Sequence, residues 1–247
     1  MSNVVGLIPA RLASTRLPGK SLADIEGMPM VVHTAKRAMQ AKSLSAVYVC
    51  TDSEEIIDTC LKYGIQYIYK NGDFKNGTER ICASTDAIDA DYFIDIQGDE
   101  PLINPQHVDV VANTLISDDF KSDILLPVVR VPYSSSETIV KVQVSLSGRV
   151  MTLSRASLPF RYSSTQQFVY KHLSIIGFAR KSLHHFGTLA PSPSEEVESI
   201  ELLRALENDM IISTIVLQGD SFSVDIQDDL DRARLAMRND KYFGTYK

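Results

Sequence analysis

Three cations, Arg11, Arg16 and Lys20, stand in one short stretch, Ile8-Pro9-Ala10-Arg11-Leu12-Ala13-Ser14-Thr15-Arg16-Leu17-Pro18-Gly19-Lys20, directly after the apolar run Val4-Val5-Gly6-Leu7. Pro9, Ala10, Ala13, Pro18 and Gly19 keep that backbone close and turning, and Ser14 and Thr15 set two hydroxyls between the charges. Backbone N–H groups and hydroxyls meet phosphate oxygens while guanidinium forks and an ammonium offset their charge, so these residue types describe a polyphosphate cradle. The end of a strand is also where open α/β sheets bind ligands. Gly19-Lys20-Ser21 matches the tail of a P-loop, but that motif needs a glycine where Ser14 stands, and no G-x-G-x-x-G follows the strand. A basic surface loop is the plainer reading of the same residues.

A second cluster is acidic. Ile94-Asp95-Ile96-Gln97-Gly98-Asp99-Glu100-Pro101 sets a carboxylate pair just past another strand end. A triphosphate in the cradle would come with Mg²⁺, which takes one or two carboxylates and keeps water and phosphate oxygens. Asp99 is the first candidate ligand, although Gly-Asp with a following Pro also reads as a turn. Asp225, beside Val224 near a strand end, is the second candidate; its other reading is a cap for the last helix. Asn76-Gly77-Thr78-Glu79-Arg80 opens a helix after a glycine-marked loop, where free N–H donors suit a base edge or a ribose, and a simple N-cap explains the same residues. A later set comprises Arg155, Arg161, Lys171 and His172, then Glu201 and Arg204. His172, in an apolar strand, reads as a core histidine or as a site residue; Glu201 and Arg204 flank an apolar helical stripe and read as an ion pair or as substrate contacts. His184-His185 has no matching ligand pair and is expected at the surface.

The elements that must position these groups alternate. From Val4 to about Phe120, β-branched runs at Val4–Leu7, Val47–Cys50, Ile65–Tyr69 and Tyr92–Ile96 interleave with helical patterns at Met30–Ala41, Glu54–Tyr63, Thr78–Ile88 and Pro105–Ile116, and Asp123–Val131 adds a strand. This is the βαβ rhythm of a parallel sheet covered on both faces. Ser53 is the expected N-cap of the second helix. After Pro132 the pattern turns to short strands at Val140–Leu146, Arg149–Ser154 and Lys171–Phe178, predicting an antiparallel layer over 132–178 inserted into one α/β domain spanning 1–247. Such a layer would wall an acceptor pocket or form a dimer face. Helices are expected at Arg180–Leu189, Glu195–Glu207 and Asp228–Arg238, and strands at Ile211–Val216 and around Val224.

Composition bounds the function. The 247 residues, 44% of them hydrophobic, can bury a full core, and a net charge of −6 argues against a general nucleic-acid or acidic-membrane binder. No apolar run is long enough to span a membrane, and a strand begins within four residues of Met1, so a cytoplasmic protein is expected. Cys50, Cys60 and Cys82 lack C-x-x-C spacing and are expected as reduced core residues.

Taken together, Pro-Ala-Arg-x-x-Ser-Thr-Arg-Leu-Pro-Gly-Lys (9–20), Asn-Gly-Thr-Glu-Arg (76–80), Gln-Gly-Asp-Glu-Pro (97–101), Val-Lys-Val (140–142), Ser-Arg-Ala (154–156) with Leu-Pro (158–159), and Lys-His-Leu (171–173) resemble the 3-deoxy-manno-octulosonate (Kdo) cytidylyltransferase family. The likeness implies a Rossmann-like, mostly parallel sheet flanked by helices, of nucleotide-diphospho-sugar transferase type, with the small antiparallel layer inserted. It implies that the anomeric hydroxyl of a 2-keto sugar acid attacks the α-phosphorus of CTP. By this likeness Pro9, Ala10, Arg11, Ser14, Thr15, Arg16 and Lys20 would hold the nucleotide with Asn76, Gly77, Thr78, Arg80 and Gln97. Asp99 and Asp225 would bind Mg²⁺ and share the catalytic role with Arg11 and Lys20, while Gln97, Arg155, Arg161, His172 and Glu201 would meet the sugar acid. From the inserted layer, a homodimer is expected too. Departures gather on the sugar side: Ser174 and Ile176 stand where the family has glycine and tyrosine, Leu202 where it has glutamine, and Ile226-Gln227 where it has Thr-Pro. The acceptor is therefore expected to be Kdo or a modified relative, with a sialic-type acid, or CTP binding without catalysis, as alternatives.

Overall fold

The structure, a computed structural model, describes residues 2–14, 16–165 and 167–247. Its first half follows the expected alternation: β1 (Val4–Pro9), two short strands β2 (Asp24–Ile25) and β3 (Met28–Pro29), α1 (Met30–Ala38), β4 (Ala46–Thr51), α2 (Glu54–Tyr63), β5 (Gln66–Tyr69), α3 (Gly77–Ser84), β6 (Tyr92–Ile96) and α4 (Pro105–Leu115). Local chemistry starts the helices where expected. Ser53 Oγ accepts the Ile56 N–H at 3.3 Å and Asn76 Oδ1 the Glu79 N–H at 2.8 Å, each satisfying a donor that the first turn leaves free.

β5, β4, β1 and β6 lie side by side and parallel, so their C-terminal ends share one edge. Period-2 alternation divides each strand between two cores. In β1, Val4 and Ile8 face the core built with α1, α2, α4 and the last helix of the chain, while Val5 and Leu7 face the core built with α3 and with the helical residues Leu183, Phe186, Leu202 and Leu203.

The second half is β7 (Ile124–Pro132), β8 (Lys141–Val144), β9 (Val150–Ser154), β10 (Phe168–His172), β11 (Ile175–Ala179), α5 (Arg180–Thr188), α6 (Pro193–Glu198), α7 (Leu202–Glu207), β12 (Ile212–Leu217) and α8 (Gln227–Arg238). β11 runs antiparallel between β6 and β7, β12 lies parallel along the other edge of β7, and β10, β8 and β9 extend as an antiparallel wing continuous with the sheet.

Three expected elements differ. The strand over 171–178 is two strands, because its outer edge changes partner: Ser174 O accepts from Gln97 N beside β6, whereas His172 N turns to Val140 O beside β8. Val224 lies in no strand; its N–H instead donates to Asp99 O at 2.9 Å, tying the two acidic loops together. The helix over 195–207 is broken at Ser199, which sits at φ 51°. Arg155 causes the break, since its Nε and Nη2 donate to the carbonyls of Glu198 and Ser199, which a continuous helix would spend on the N–H groups of Leu202 and Leu203. Val197, expected in the apolar stripe, is consequently 86% exposed.

At the end of α7 the exposed Asp209 takes φ 59°, in the left-handed region that glycine occupies without a Cβ clash. Asp209→Gly is expected to stabilise the fold by about 0.5 kcal/mol, read as a higher urea midpoint at unchanged slope.

Candidate active site

The cradle leaves the C-terminal end of β1 and faces the N-terminus of α3 across a cavity of 210 Å³. Pro9, Ala10, Arg11, Ser14, Arg16 and Lys20 line one side, Asn76, Gly77 and Arg80 the other, with Gln97, Gly98 and Asp99 between them. Thr15 lies outside the described residues. The close approach depends on two glycines. A Cβ on Gly77 would sit 2.8 Å from Pro9 Cγ, and one on Gly98 only 2.6 Å from the Pro9 carbonyl oxygen. Arg80 is buried and committed, its Nη2 to Asp52 at 2.8 Å and its Nη1 to Lys70 O at 3.0 Å.

Lys20 gathers the acidic residues. Its Nζ lies 2.6 Å from Asp99 Oδ2 and 3.1 Å from Asp225 Oδ1, and Arg16 Nη2 also reaches Asp225 at 3.0 Å. Burial works against the Lys20 charge, but the two carboxylates outweigh it and hold its pKa above the ordinary value. Asp225 does not cap α8; Asp229 Oδ2 accepts the N–H groups of Asp225 and Ile226 instead.

A second cavity, of 440 Å³, opens in the fork between β6 and the antiparallel wing. Asn76, Gly77, Gln97 and Asp99 line both cavities and mark where they meet. Arg155, His172 and Glu201 line the second one, together with Ser174, Ile176 and Leu202. Arg161 is not among these lining residues; its guanidinium lies over the Tyr133 ring. Arg204 is also spoken for. It forms a buried fork with Glu195, Nε–Oε2 at 2.7 Å and Nη2–Oε1 at 2.6 Å, and reaches Glu79 at 2.8 Å, so its partner is not Glu201. Lys171 pairs with Asp220 at 2.7 Å, and His184 is half-buried against Thr85 Oγ1 at 2.9 Å rather than free at the surface. Cys50 and Cys60 are buried and Cys82 half-buried, with no disulfide among the described residues; burial pushes the Cys50 thiol up to about 12.

Two acids of the site have surroundings that the sequence did not show. Nothing in an apolar strand pattern marks its one acid as functional, yet Asp95 is fully buried in β6, accepting Gln97 Nε2 on both oxygens and meeting the Thr78 hydroxyl at 2.9 Å. The same hydroxyl lies 2.6 Å from Glu201 Oε1. Burial, and then the charge of Glu201, push the Asp95 pKa well up, and burial raises that of Glu201. Glu100, expected only as half of an acidic pair, is buried and takes the hydroxyls of Ser174 and Ser223 on Oε1.

His172 is the titrating group with the clearest consequence. Burial, with Lys171 and Arg155 nearby, lowers its pKa to about 4, so the imidazole is neutral at physiological pH. Its folded value lies below the unfolded value of about 6.5, so its contribution is complete above that pH and is lost as pH falls toward the folded value. The stability difference between wild type and His172→Gln should therefore shrink on acidification through this window, measured by urea unfolding. Gly98→Ala, which must move the Pro9 backbone, is expected to weaken CTP binding at least about tenfold by calorimetry with the far-ultraviolet spectrum unchanged.

Comparison with known proteins agrees with this geometry. A family model described as cytidylyltransferase matches residues 5–212. The 3-deoxy-manno-octulosonate cytidylyltransferase of Chlorobium limicola is 36% identical over 243 residues, covering 96% of this chain and 98% of its own. The protein of the same name from Zea mays is also 36% identical, over 96% of this chain and 82% of its own. Among solved structures, CMP:2-keto-3-deoxy-manno-octonic acid synthetase complexed with CTP superposes with a TM-score of 0.89 at 30% identity, covering 96% and 99% of the two chains. HddC from Yersinia pseudotuberculosis, at 17% identity and a TM-score of 0.67, shares the fold. With relatives matched almost end to end, the chain belongs to the cytidylyltransferase family, among its 3-deoxy-manno-octulosonate cytidylyltransferases.

Proposed function

We propose that this protein transfers CMP from CTP to the anomeric hydroxyl of Kdo or a Kdo-like 2-keto-3-deoxy acid, releasing pyrophosphate. The observation that carries the reading is the junction of the two cavities at Asn76, Gly77, Gln97 and Asp99: a nucleotide held in the cradle and an acid held in the fork would meet there. Arg11, Arg16 and Lys20 would neutralise the triphosphate, with Ser14, Thr15 and the Pro9-Ala10 backbone beside them, and the start of α3 would receive the cytidine. Gln97, Arg155, His172 and Glu201 would line the acceptor; Arg161, stacked on Tyr133, is left out of this set. Transfer of this kind needs alignment and charge neutralisation rather than a covalent nucleophile.

The donor set suits Mg²⁺. Asp99 and Asp225 already converge on one cationic nitrogen, and two carboxylates completed by phosphate oxygens and water are what this ion accepts. Bound there, Mg²⁺ would offset charge on the triphosphate and on the leaving pyrophosphate. The wing of β8 to β10 would wall the acceptor and offer a face to a second copy of the chain; no helix among the described residues is long and apolar enough to cross a membrane.

Ser174, Ile176 and Leu202 all line the acceptor cavity, so these three departures from the family pattern meet at one place, whereas Ile226 and Gln227 are not among its lining residues. This favours a second reading, an acid modified at the hydroxyl that faces them, because a pocket lacking a polar partner ceases to select for it. Pyrophosphate release with CTP and Mg²⁺ across a panel of 2-keto sugar acids should give turnover with Kdo or one analogue, lost by at least about a hundredfold in Asp99→Ala and in Asp225→Ala. No release with any acid would refute the reaction, and Kdo outperforming every analogue would remove the modified acid.

A further inference from the structure

The Thr78 hydroxyl carries one hydrogen but lies between two carboxyl groups, 2.9 Å from Asp95 Oδ2 and 2.6 Å from Glu201 Oε1. It can donate to only one of them. Were both ionised, the other contact would set a carboxylate oxygen against a hydroxyl oxygen with no proton between, in a site where Asp95 is wholly buried. One added proton satisfies every atom. Asp95 then donates from Oδ2 to Thr78 Oγ1, Thr78 donates to Glu201, and Gln97 Nε2 donates to Asp95 Oδ1 at 3.0 Å while lying 2.9 Å from Oδ2, which keeps a lone pair for the same amide when protonated.

Which carboxyl holds the proton follows from the surroundings. Glu201 lines the open cavity beside the N-terminus of α3, where Thr78 is the second residue and the helix dipole favours a negative charge. The hydrogen-bond partners of Asp95 among the described side chains, Gln97 and Thr78, are both neutral. The charged groups facing the pair are Glu195 and Arg204 from α6 and α7, Arg204 being held by Glu195 and Glu79, and Asp99 beyond β6. Across the cavity His172 is neutral.

We propose that Asp95 is a neutral carboxylic acid at neutral pH and that the directed chain Asp95, Thr78, Glu201 fixes an ionised Glu201 toward the hydroxyls of the acceptor. Asp95 and Thr78 are thus positioning residues acting through Glu201. The chain leaves one negative charge on this wall instead of two, where the incoming acid itself brings another. The assignment of Glu201 to the acceptor rests on the function proposed above; the protonation of Asp95 does not.

Infrared spectra of the protein alone test the proton. Near neutral pH the wild type should show a carboxylic-acid carbonyl band that Asp95→Asn removes. An absent band, or one that persists in Asp95→Asn and so belongs to another acid such as Glu100, overturns the proposal. Asparagine supplies the same donor to Thr78 and the same acceptor to Gln97, so Asp95→Asn should keep kcat/KM for the sugar acid within about threefold. Thr78, expected from the family likeness to meet the nucleotide, is instead wholly buried and is not among the residues lining the cradle. Thr78→Val, which cuts the chain, should raise KM for the sugar acid about tenfold and by more than KM for CTP, and Thr78→Ser should restore it. An unchanged acid KM in Thr78→Val, or a rise shared equally by CTP, overturns the positioning role. If the wild type turns over no sugar acid, the function fails while the band still decides the proton.

Discussion

A strand has two edges, and the space in which this protein works exists because one strand changes its neighbour midway. From Phe168 to Ala179 the chain stays paired with β7 on one side, but on the other it passes from β8 to β6 at Leu173-Ser174. The sheet cannot remain closed where the two neighbours diverge. The fork becomes the second cavity, and the residues at its root, Gln97 and Ser174, are joined backbone to backbone at 3.1 Å. Glu100 ties the same place together from below, receiving Ser174 from the fork and Ser223 from the segment that carries Asp225. The acidic loops are thus held by the sheet's branching as well as by each other.

Charge is handled differently in the two cavities. In the cradle, Arg11 and Arg16 stay exposed and only Lys20 is drawn inward, against Asp99 and Asp225. Exposed guanidinium groups are weakly committed and available to an anion. Around the second cavity the reverse holds: Arg204 is consumed by Glu195 and Glu79, and Arg155, although it lines the cavity, is held by backbone carbonyls. Arg155 shapes the site by breaking the helix ahead of Glu201 and thereby turning Glu201 toward Thr78.

How much of this was legible from the sequence depends on range. The early helix and strand boundaries are near where periodicity and caps put them, because Ser53 and Asn76 act on N–H groups three residues away and the apolar alternation of β1 is local. The cradle was legible for the same reason, being one continuous loop. The break at Ser199 was not, since the helix pattern of 195–207 is intact in itself and the residue that interrupts it comes from just beyond β9. The kink at Ser174 was hidden too: apolar residues continue through it, and only the arrangement of the neighbours divides the strand. Asp95 was the least legible of all, because a buried acid is intelligible only once Thr78 and Glu201 have been brought to it.

The division of β1 between two cores ties packing to alignment. Val4 and Ile8 belong to one face, Val5 and Leu7 to the other, and the same strand delivers Pro9 into contact with Gly77 and Gly98. Removing or inserting a single residue here would exchange the two faces and also displace the loop by a full residue, so no partial accommodation exists. Exposed segments such as Ser117 to Asp119, just after α4, carry neither burden. Length variation among descendants of this chain is therefore confined to such turns, and the first strand is fixed in length even where its apolar residues are interchangeable.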